Sequence, residues 1–266
     1  MSQDQRQPRM VISSLWLQLS ILTFIFGFGV LGFLARQIYH QSPPIPNRVT
    51  APDGRLVFTG DDIMAGQHLF QKYGLMQFGT IFGHGAYLGP DFTAQYLHRA
   101  SIDAARFYGG GNALAPGARE RVSSEFQRNR YQPRTRTLAY TQGQVYAFER
   151  ARDYNNKWFG KVSTQTGLQR PNLSNPSDIH KLTSYFSWAA WVSSARRPGI
   201  NYSYTNNWPP ELLVGNSLTP QAFIWSVYSL IALLGGIGIV LFLFGRYNIL
   251  GWHRYEDESP GKMVQF

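Results

Sequence analysis

The sequence of 266 residues contains no cysteine. Without that side chain, the protein can form no disulfide bond, no thiolate metal site and no thioether bond to a c-type haem. Acidic side chains are also scarce, because 15 Asp and Glu stand against 25 Lys and Arg, for a formal net charge of +10. This balance predicts either an anionic partner or a basic surface that is only solvated.

Familiar catalytic motifs are absent as well. The six histidines include no pair four residues apart with an acidic neighbour, which is the spacing of a helical metal site. His84 lies in a glycine-rich turn, where a polar turn residue is a simpler interpretation than a metal ligand. The glycines at 109–111 lack the Lys-Ser/Thr that follows a phosphate loop, and no serine is framed as Gly-x-Ser-x-Gly. We therefore predict no catalytic residue in this chain.

Two long apolar stretches are the main positive feature of the sequence. Residues 11–34 and 222–244 contain no charged side chain, and each is long enough to cross a bilayer core of ~30 Å as a helix. The alternatives are a buried core helix and, for the first stretch, a signal peptide, whose apolar run is only ~7–15 residues. We predict transmembrane helices at 11–35 and 220–245, short end segments at 1–10 and 246–266, and a domain at 36–219.

The charges around the second apolar stretch predict its orientation. Residues 198–221 carry no Lys or Arg, whereas Arg246, Arg254 and Lys262 follow the stretch. Because Lys and Arg are retained in the cytoplasm, both ends should face the cytoplasm and the central domain should be extracytoplasmic. Nucleic acid is then not an expected partner. Anionic headgroups, an acidic partner or solvent remain for the basic side chains of the domain.

The pattern between the two stretches is helical. Apolar residues recur at helical spacing after Asp61 or Asp62, which is the expected cap, and the pattern stops at Gly74. Further helices are expected at residues 92–107, at 122–126, at 141–148 and from about Ser177 or Asp178 onward. The predicted fold class is therefore all-α, with two transmembrane helices flanking a helical domain.

Two short regions carry distinctive motifs. One comprises residues 66–76 (GQHLFQKYGLM) and 83–91 (GHGAYLGPD), and the other comprises residues 197–199 (RPG) and 202–209 (YSYTNNWP). Both resemble the N-terminal region of quinol-dependent nitric oxide reductases, and the likeness extends from the first apolar stretch to about Pro260. The resemblance implies a cytochrome c-like domain held between the first two transmembrane helices.

The same resemblance implies that this domain has lost its haem. In the related cytochrome c-dependent reductases, a Cys-x-x-Cys-His haem site precedes a Gly-Ala-Tyr segment like the one at residues 85–87. Counting back from that segment places Leu75 and Phe78 at the cysteine positions and Gly79 at the histidine position. A thioether needs sulfur and an axial bond needs imidazole, so the haem site is degenerate. We expect side chains such as Leu75, Phe78 and Phe82 to fill the haem cavity.

The resemblance gives a second role to the Gly-Ala-Tyr segment. In the cytochrome c-dependent relatives, the residues that match Gly85 and Tyr87 contribute to a calcium site that bridges haem propionates of the large subunit. Calcium accepts backbone carbonyl oxygens, so the turn is chemically suited to it. The alternative is that Tyr87 only packs against the turn. Arg196 and Arg197 are further candidates to face propionates, with headgroups or solvent as the alternatives.

Family members continue after the second apolar stretch into a large membrane domain that holds haem b, haem b3 and a non-haem iron. This sequence stops at Phe266, so we expect either the small subunit of a split enzyme or one piece of a longer polypeptide. The resemblance implies a complex in the bacterial inner membrane, with the haem-containing catalytic subunit, membrane quinol and the lipid bilayer as partners. Its domain would face the periplasm. A nitric oxide dismutase is the alternative among similar enzymes, and a two-span membrane sensor is the alternative of another class.

Overall fold

Two exposed apolar helices bracket the chain in the computed structural model, which describes residues 14–160 and 173–249. They are α1 (Ser14–Gln41) and α7 (Pro220–Tyr247). Both are long and apolar enough to cross a membrane, and their most apolar windows are not buried by the rest of the chain. A core helix of a soluble protein would bury that surface, so the predicted pair of candidate membrane helices is confirmed. Arg254 and Lys262, which served to predict the orientation, lie outside the described residues.

Helices also dominate the described part of the domain between α1 and α7. They correspond to the five helices expected from the sequence: α2 (Gly60–Lys72), α3 (Phe92–Tyr108), α4 (Ala118–Gln127), α5 (Gln142–Phe159) and α6 (Pro176–Ser194). α6 is the central one, because it contacts α2, α3, α4 and α5. Apolar and small side chains are buried on every side of it, which is the pattern of a helix surrounded by others.

The start of α2 differs from the prediction of an Asp61 or Asp62 cap. The N-cap is Thr59, whose hydroxyl accepts a hydrogen bond from the Asp62 amide at 3.1 Å. Asp62 reciprocates, since its carboxylate accepts from the Thr59 amide at 2.9 Å. Asp62 is therefore the third helical residue of a capping box rather than the cap itself. α6 differs in the same way, because Asn175 caps it ahead of Ser177.

Short strands supplement the helices. They are β1 (Arg48–Thr50), β2 (Leu56–Thr59), β3 (Thr80–Ile81), β4 (His84–Gly85), β5 (Tyr131–Gln132) and β6 (Thr137–Ala139). Four of them form a sheet in the order β2-β1-β6-β5, in which β1 and β6 are parallel, and β3 pairs with β4 as a hairpin. The sequence analysis missed them because two to four residues are too few to establish an alternating pattern.

Stacked and edge-on aromatic rings form the centre of the helical core. Phe92 of α3 stacks on Phe186 of α6, with ring centroids 4.9 Å apart and planes at 6°. Phe70 of α2 meets Phe186 edge-on at 6.0 Å, and Phe159 of α5 stacks on Phe92 at 6.3 Å. Each of these rings is no more than 2% exposed. Aromatic pairs of this kind add to the free energy gained by burying their area, so four helices are joined at one point.

Candidate functional site: a closed haem position beside an aromatic groove

The degenerate haem segment follows α2 directly. Gly74 has a φ of +58° and ends the helix, and a short 3-10 helix at Leu75–Gln77 comes next. The Leu75 side chain is fully buried, and Phe78 is only 6% exposed. The two predicted cysteine positions are thus occupied by apolar side chains that belong to the core. No sulfur is present at either position to attach a haem vinyl group.

The predicted position of the haem-ligand histidine is closed to any side chain. A β-carbon added to Gly79 would collide with the carbonyl oxygen of Pro90 and would lie 2.8 Å from Cε2 of the Phe92 ring. Phe92 cannot retreat easily, because it is stacked on Phe186 in the core. An imidazole at residue 79 would need several further atoms in the same space. The residues present therefore do not fit a c-type haem.

Phe82 lies elsewhere than its predicted role requires. It is half-buried at the edge of the domain, where its ring meets Trp188 of α6 edge-on at 6.3 Å. Its φ is +51°, because it occupies the tight turn between β3 and β4. Leu75 and Phe78 point into the core as expected, but Phe82 covers the outer surface of that core and lines a groove there.

Asp91 organises the loop that carries the Gly-Ala-Tyr segment. One of its carboxylate oxygens accepts hydrogen bonds from the Thr80 hydroxyl at 2.6 Å and from the Gly83 amide at 2.8 Å. The other caps α3 by accepting from the Ala94 amide at 2.8 Å. The sequence analysis did not single out Asp91 as a positioning residue. Its place just before the apolar run of α3 is the usual signal of an N-cap and could have revealed it.

The backbone at Gly85 packs tightly against the degenerate haem segment. Its φ is +139°, and an added β-carbon would lie 2.5 Å from the carbonyl oxygen of Gly79. The next amide, of Ala86, donates to the carbonyl oxygen of Met76 at 2.8 Å. Tyr87 then leaves the loop with 90% of its surface exposed. The interpretation that Tyr87 only packs against the turn is therefore wrong.

The calcium prediction for Gly85 and Tyr87 can be compared with the donors near that loop. Within residues 14–160 and 173–249, no group of three or more His, Cys, Asp or Glu side chains could hold a metal ion. The nearby carboxylate of Asp91 already accepts three hydrogen bonds. Calcium takes six to eight oxygen ligands, so a site at Gly85 and Tyr87 fits only if a partner supplies most of them. His84 is exposed, as a polar turn residue would be.

An aromatic groove of about 720 Å³ opens beside this loop. Its walls include Phe82, Trp188, Tyr204 and Trp208, and the exposed Tyr87 stands at its edge. Trp188 donates from its indole nitrogen to the carbonyl oxygen of Pro44 at 3.0 Å, just beyond the end of α1. Burial raises the pKa of the Tyr204 phenol, so this hydroxyl stays protonated at neutral pH. The groove is thus a mainly apolar surface near the candidate membrane helices.

A family model provides the comparison that decides the relationship. The model for the NorB cytochrome c-like domain of nitric oxide reductase matches residues 46–210, which is more than half of the chain. The chain belongs to this family. A comparison with curated proteins finds no match. The matched range contains the degenerate haem segment, the Gly-Ala-Tyr loop and α2 to α6, so this reductase domain is the part that the two candidate membrane helices flank.

Restoring the three haem-attaching residues is not expected to restore haem to the reductase domain. We expect the triple variant Leu75→Cys, Phe78→Cys and Gly79→His to carry no covalent haem, because Pro90 and Phe92 occupy the space that the imidazole needs. The measurement is haem staining and intact mass of the full chain, expressed in a strain that matures c-type cytochromes. A c-type cytochrome matured in the same cells is the control. A mass gain of one haem would contradict the closed position.

Proposed function

We propose that this chain is the non-catalytic, membrane-anchored portion of a quinol-dependent nitric oxide reductase. The reaction of the complex converts two molecules of nitric oxide and one quinol into nitrous oxide, water and quinone, so two electrons and two protons leave the quinol. The observation that carries the proposal is the closed haem position, where Gly79 abuts Pro90 and Phe92 while Leu75 and Phe78 lie in the core.

The electron donor follows from that closed position. In a domain with a c-type haem, a soluble cytochrome can pass electrons through the haem to the catalytic subunit. Here no described residue supports such a relay, because the histidine position is filled and no cysteine exists in the sequence. Electrons must then reach the catalytic centre by another route. A quinol dissolved in the membrane is the donor that can approach without this domain.

The remaining role of the domain is assembly with a haem-containing catalytic subunit. The exposed Tyr87 and the aromatic groove beside it form an apolar surface that a partner would cover. Such a partner would hold haem b, haem b3 and the non-haem iron. Gly85 and Tyr87 would meet its haem propionates, with calcium as the bridging ion where the partner adds oxygen ligands. This arrangement puts the domain on the periplasmic face of the bacterial inner membrane.

The test is the choice of electron donor by the complex purified with this chain. We expect nitric oxide consumption with a reduced quinol analogue and none above background with reduced cytochrome c. The same sample should give a pyridine haemochrome spectrum of b-type haem without c-type haem. Consumption that needs cytochrome c and ignores quinol would overturn the proposal.

Measurement of the product gas separates the related alternative. A reductase releases nitrous oxide, whereas a dismutase releases dinitrogen and dioxygen, so isotope-labelled nitric oxide distinguishes them in one mass spectrum. A chain that purifies alone, with no haem-containing partner, would instead favour a membrane sensor.

A further inference from the structure

A second groove, of about 790 Å³, lies on another part of the domain. One wall is α4 together with Arg128, and the opposite wall is the segment that follows α6, at residues 196–198. Leu212 and Gly215 complete it. We call this the basic groove, because four of its lining residues are Arg119, Arg128, Arg196 and Arg197.

The charge of the basic groove is unbalanced. Glu120 is the acidic residue that lines it, against the four arginines. Among the described residues, no ion pair joins any of those four arginines to a carboxylate. Arg119, Arg128 and Arg196 are exposed and Arg197 is half-buried, so their guanidinium groups border open space. Guanidinium groups gathered in this way are suited to a phosphate, which can accept paired hydrogen bonds from each.

The two walls of the basic groove are joined by hydrogen bonds. The Arg196 amide donates to the carbonyl oxygen of Gln127 at 2.9 Å, and the Arg196 guanidinium donates to the Gln127 side chain at 2.5 Å. Asn129 donates back to the carbonyl oxygen of Arg196 at 3.0 Å. The Ser123 hydroxyl donates to the carbonyl oxygen of Val214 at 2.8 Å. The arginines are therefore mounted on a fixed frame, which lowers the entropy cost of binding.

One end of the basic groove lies at the candidate membrane boundary. The Arg197 guanidinium donates to the side chain of Gln41, the last residue of α1, at 3.3 Å. Apolar side chains are exposed nearby in the sequence: Leu212 in the groove is 79% exposed, Ile200 after Arg197 is 37% exposed, and Leu218 before α7 is 46% exposed. A lipid requires this combination, because its phosphate is anionic and its acyl chains are apolar.

We propose that the basic groove binds the phosphate headgroup of an anionic phospholipid from the adjacent leaflet. Arg128, Arg196 and Arg197 hold the phosphate, Arg119 extends the positive surface along α4, and Leu212 contacts the lipid where the headgroup joins the acyl chains. This site is separate from the degenerate haem segment and from the aromatic groove, and it does not depend on which electron donor the complex uses.

The test measures lipid binding to the full chain in detergent by native mass spectrometry. Short-chain phosphatidylglycerol is the probe, phosphatidylcholine is the zwitterionic control, and sodium phosphate is the soluble competitor. We expect phosphatidylglycerol to bind at least about tenfold more tightly than phosphatidylcholine, and phosphate to compete only at large excess. Raising the sodium chloride concentration should weaken the binding, since the interaction is between charges.

Paired variants locate the site. The double variant Arg119→Gln and Arg128→Gln should lose about tenfold in affinity for phosphatidylglycerol, because two guanidinium contacts are removed. The matched control, Arg134→Gln with Arg150→Gln, removes the same charge from exposed positions outside the groove and should stay within about twofold. Thermal unfolding of both variants checks that the fold is retained, and the salt titration of the unchanged chain tests the site independently of any substitution.

Three results would overturn the proposal. Equal losses in the two double variants would mean that only the net charge matters. Phosphate that displaces the lipid at equal concentration would assign the groove to a soluble anion. If the intact complex retains no phosphatidylglycerol, and its catalytic subunit cross-links to a cysteine introduced by Arg128→Cys, the groove is a protein interface instead.

Discussion

Replacing Phe186 by Ala is expected to destabilise the domain by about 3–5 kcal/mol. The ring is 2% exposed and lies where α2, α3, α5 and α6 meet, in contact with Phe70, Phe92 and Phe159. Truncation removes the buried area and leaves a cavity that three other rings cannot fill without leaving their own contacts. For a domain of this size, the loss corresponds to a fall of about 10 °C in the unfolding temperature. Thermal unfolding of the full chain in detergent, followed by tryptophan fluorescence, is the measurement.

Phe107→Ala is the matched control for Phe186→Ala. The same atoms are removed from α3 at a position where the ring is 40% exposed and lies against Tyr108 and Tyr146 at the surface. We expect a loss below about 1 kcal/mol, since no closed cavity forms. Equal falls in unfolding temperature for the two variants would mean that the core is not centred on Phe186.

Replacing Gly66 by Ala should also destabilise the domain strongly, by about 3 kcal/mol. A β-carbon at residue 66 would collide with the carbonyl oxygen of Lys181 and lie 2.8 Å from Cβ of Tyr185, where α2 crosses α6. Helix propensity acts in the opposite direction, because Ala is favoured over Gly by about 1 kcal/mol inside a helix. Steric conflict with a rigid backbone is the larger effect, since the two helices must separate to admit the methyl group.

His68→Ala on the same helix separates the two effects. His68 is exposed, so the substitution introduces the same side chain without contact to α6. Its unfolding temperature should stay equal to that of the unchanged chain or rise slightly through the gain in helix propensity. A stabilised Gly66→Ala variant would show that α2 and α6 do not approach as closely as the structure has them.

The helices of the domain could be predicted because their signals are local. α3 and α5 follow apolar spacing that is complete within each segment, and their caps at Asp91 and Thr141 are adjacent to that spacing. The strands could not be predicted, since β1 pairs with β6 across most of the domain and each has three residues. Asp62 was assigned as the cap of α2 because the sequence does not reveal which side of a capping box is extended.

The candidate site was predicted in part. Leu75 and Phe78 are buried as expected, because an apolar side chain beside a helix end has little reason to stay in water. The position of Phe82 and the exposure of Tyr87 were missed, since both depend on how the turn between β3 and β4 lies on α6. No spacing rule brings Arg119 of α4 near Arg197, which follows α6, because that proximity exists only after α4 and α6 have packed.

Two properties of this protein follow from its residues before any folding is considered. The two apolar helices follow from length and rise per residue, and the inability to bind a c-type haem covalently follows from the absence of cysteine. Three others depend on the folded chain: Pro90 and Phe92 close the histidine position, Tyr87 is exposed, and four arginines share one groove. The reason is physical: composition and periodicity fix what a segment can do locally, whereas closure and clustering are distances between segments that packing alone sets.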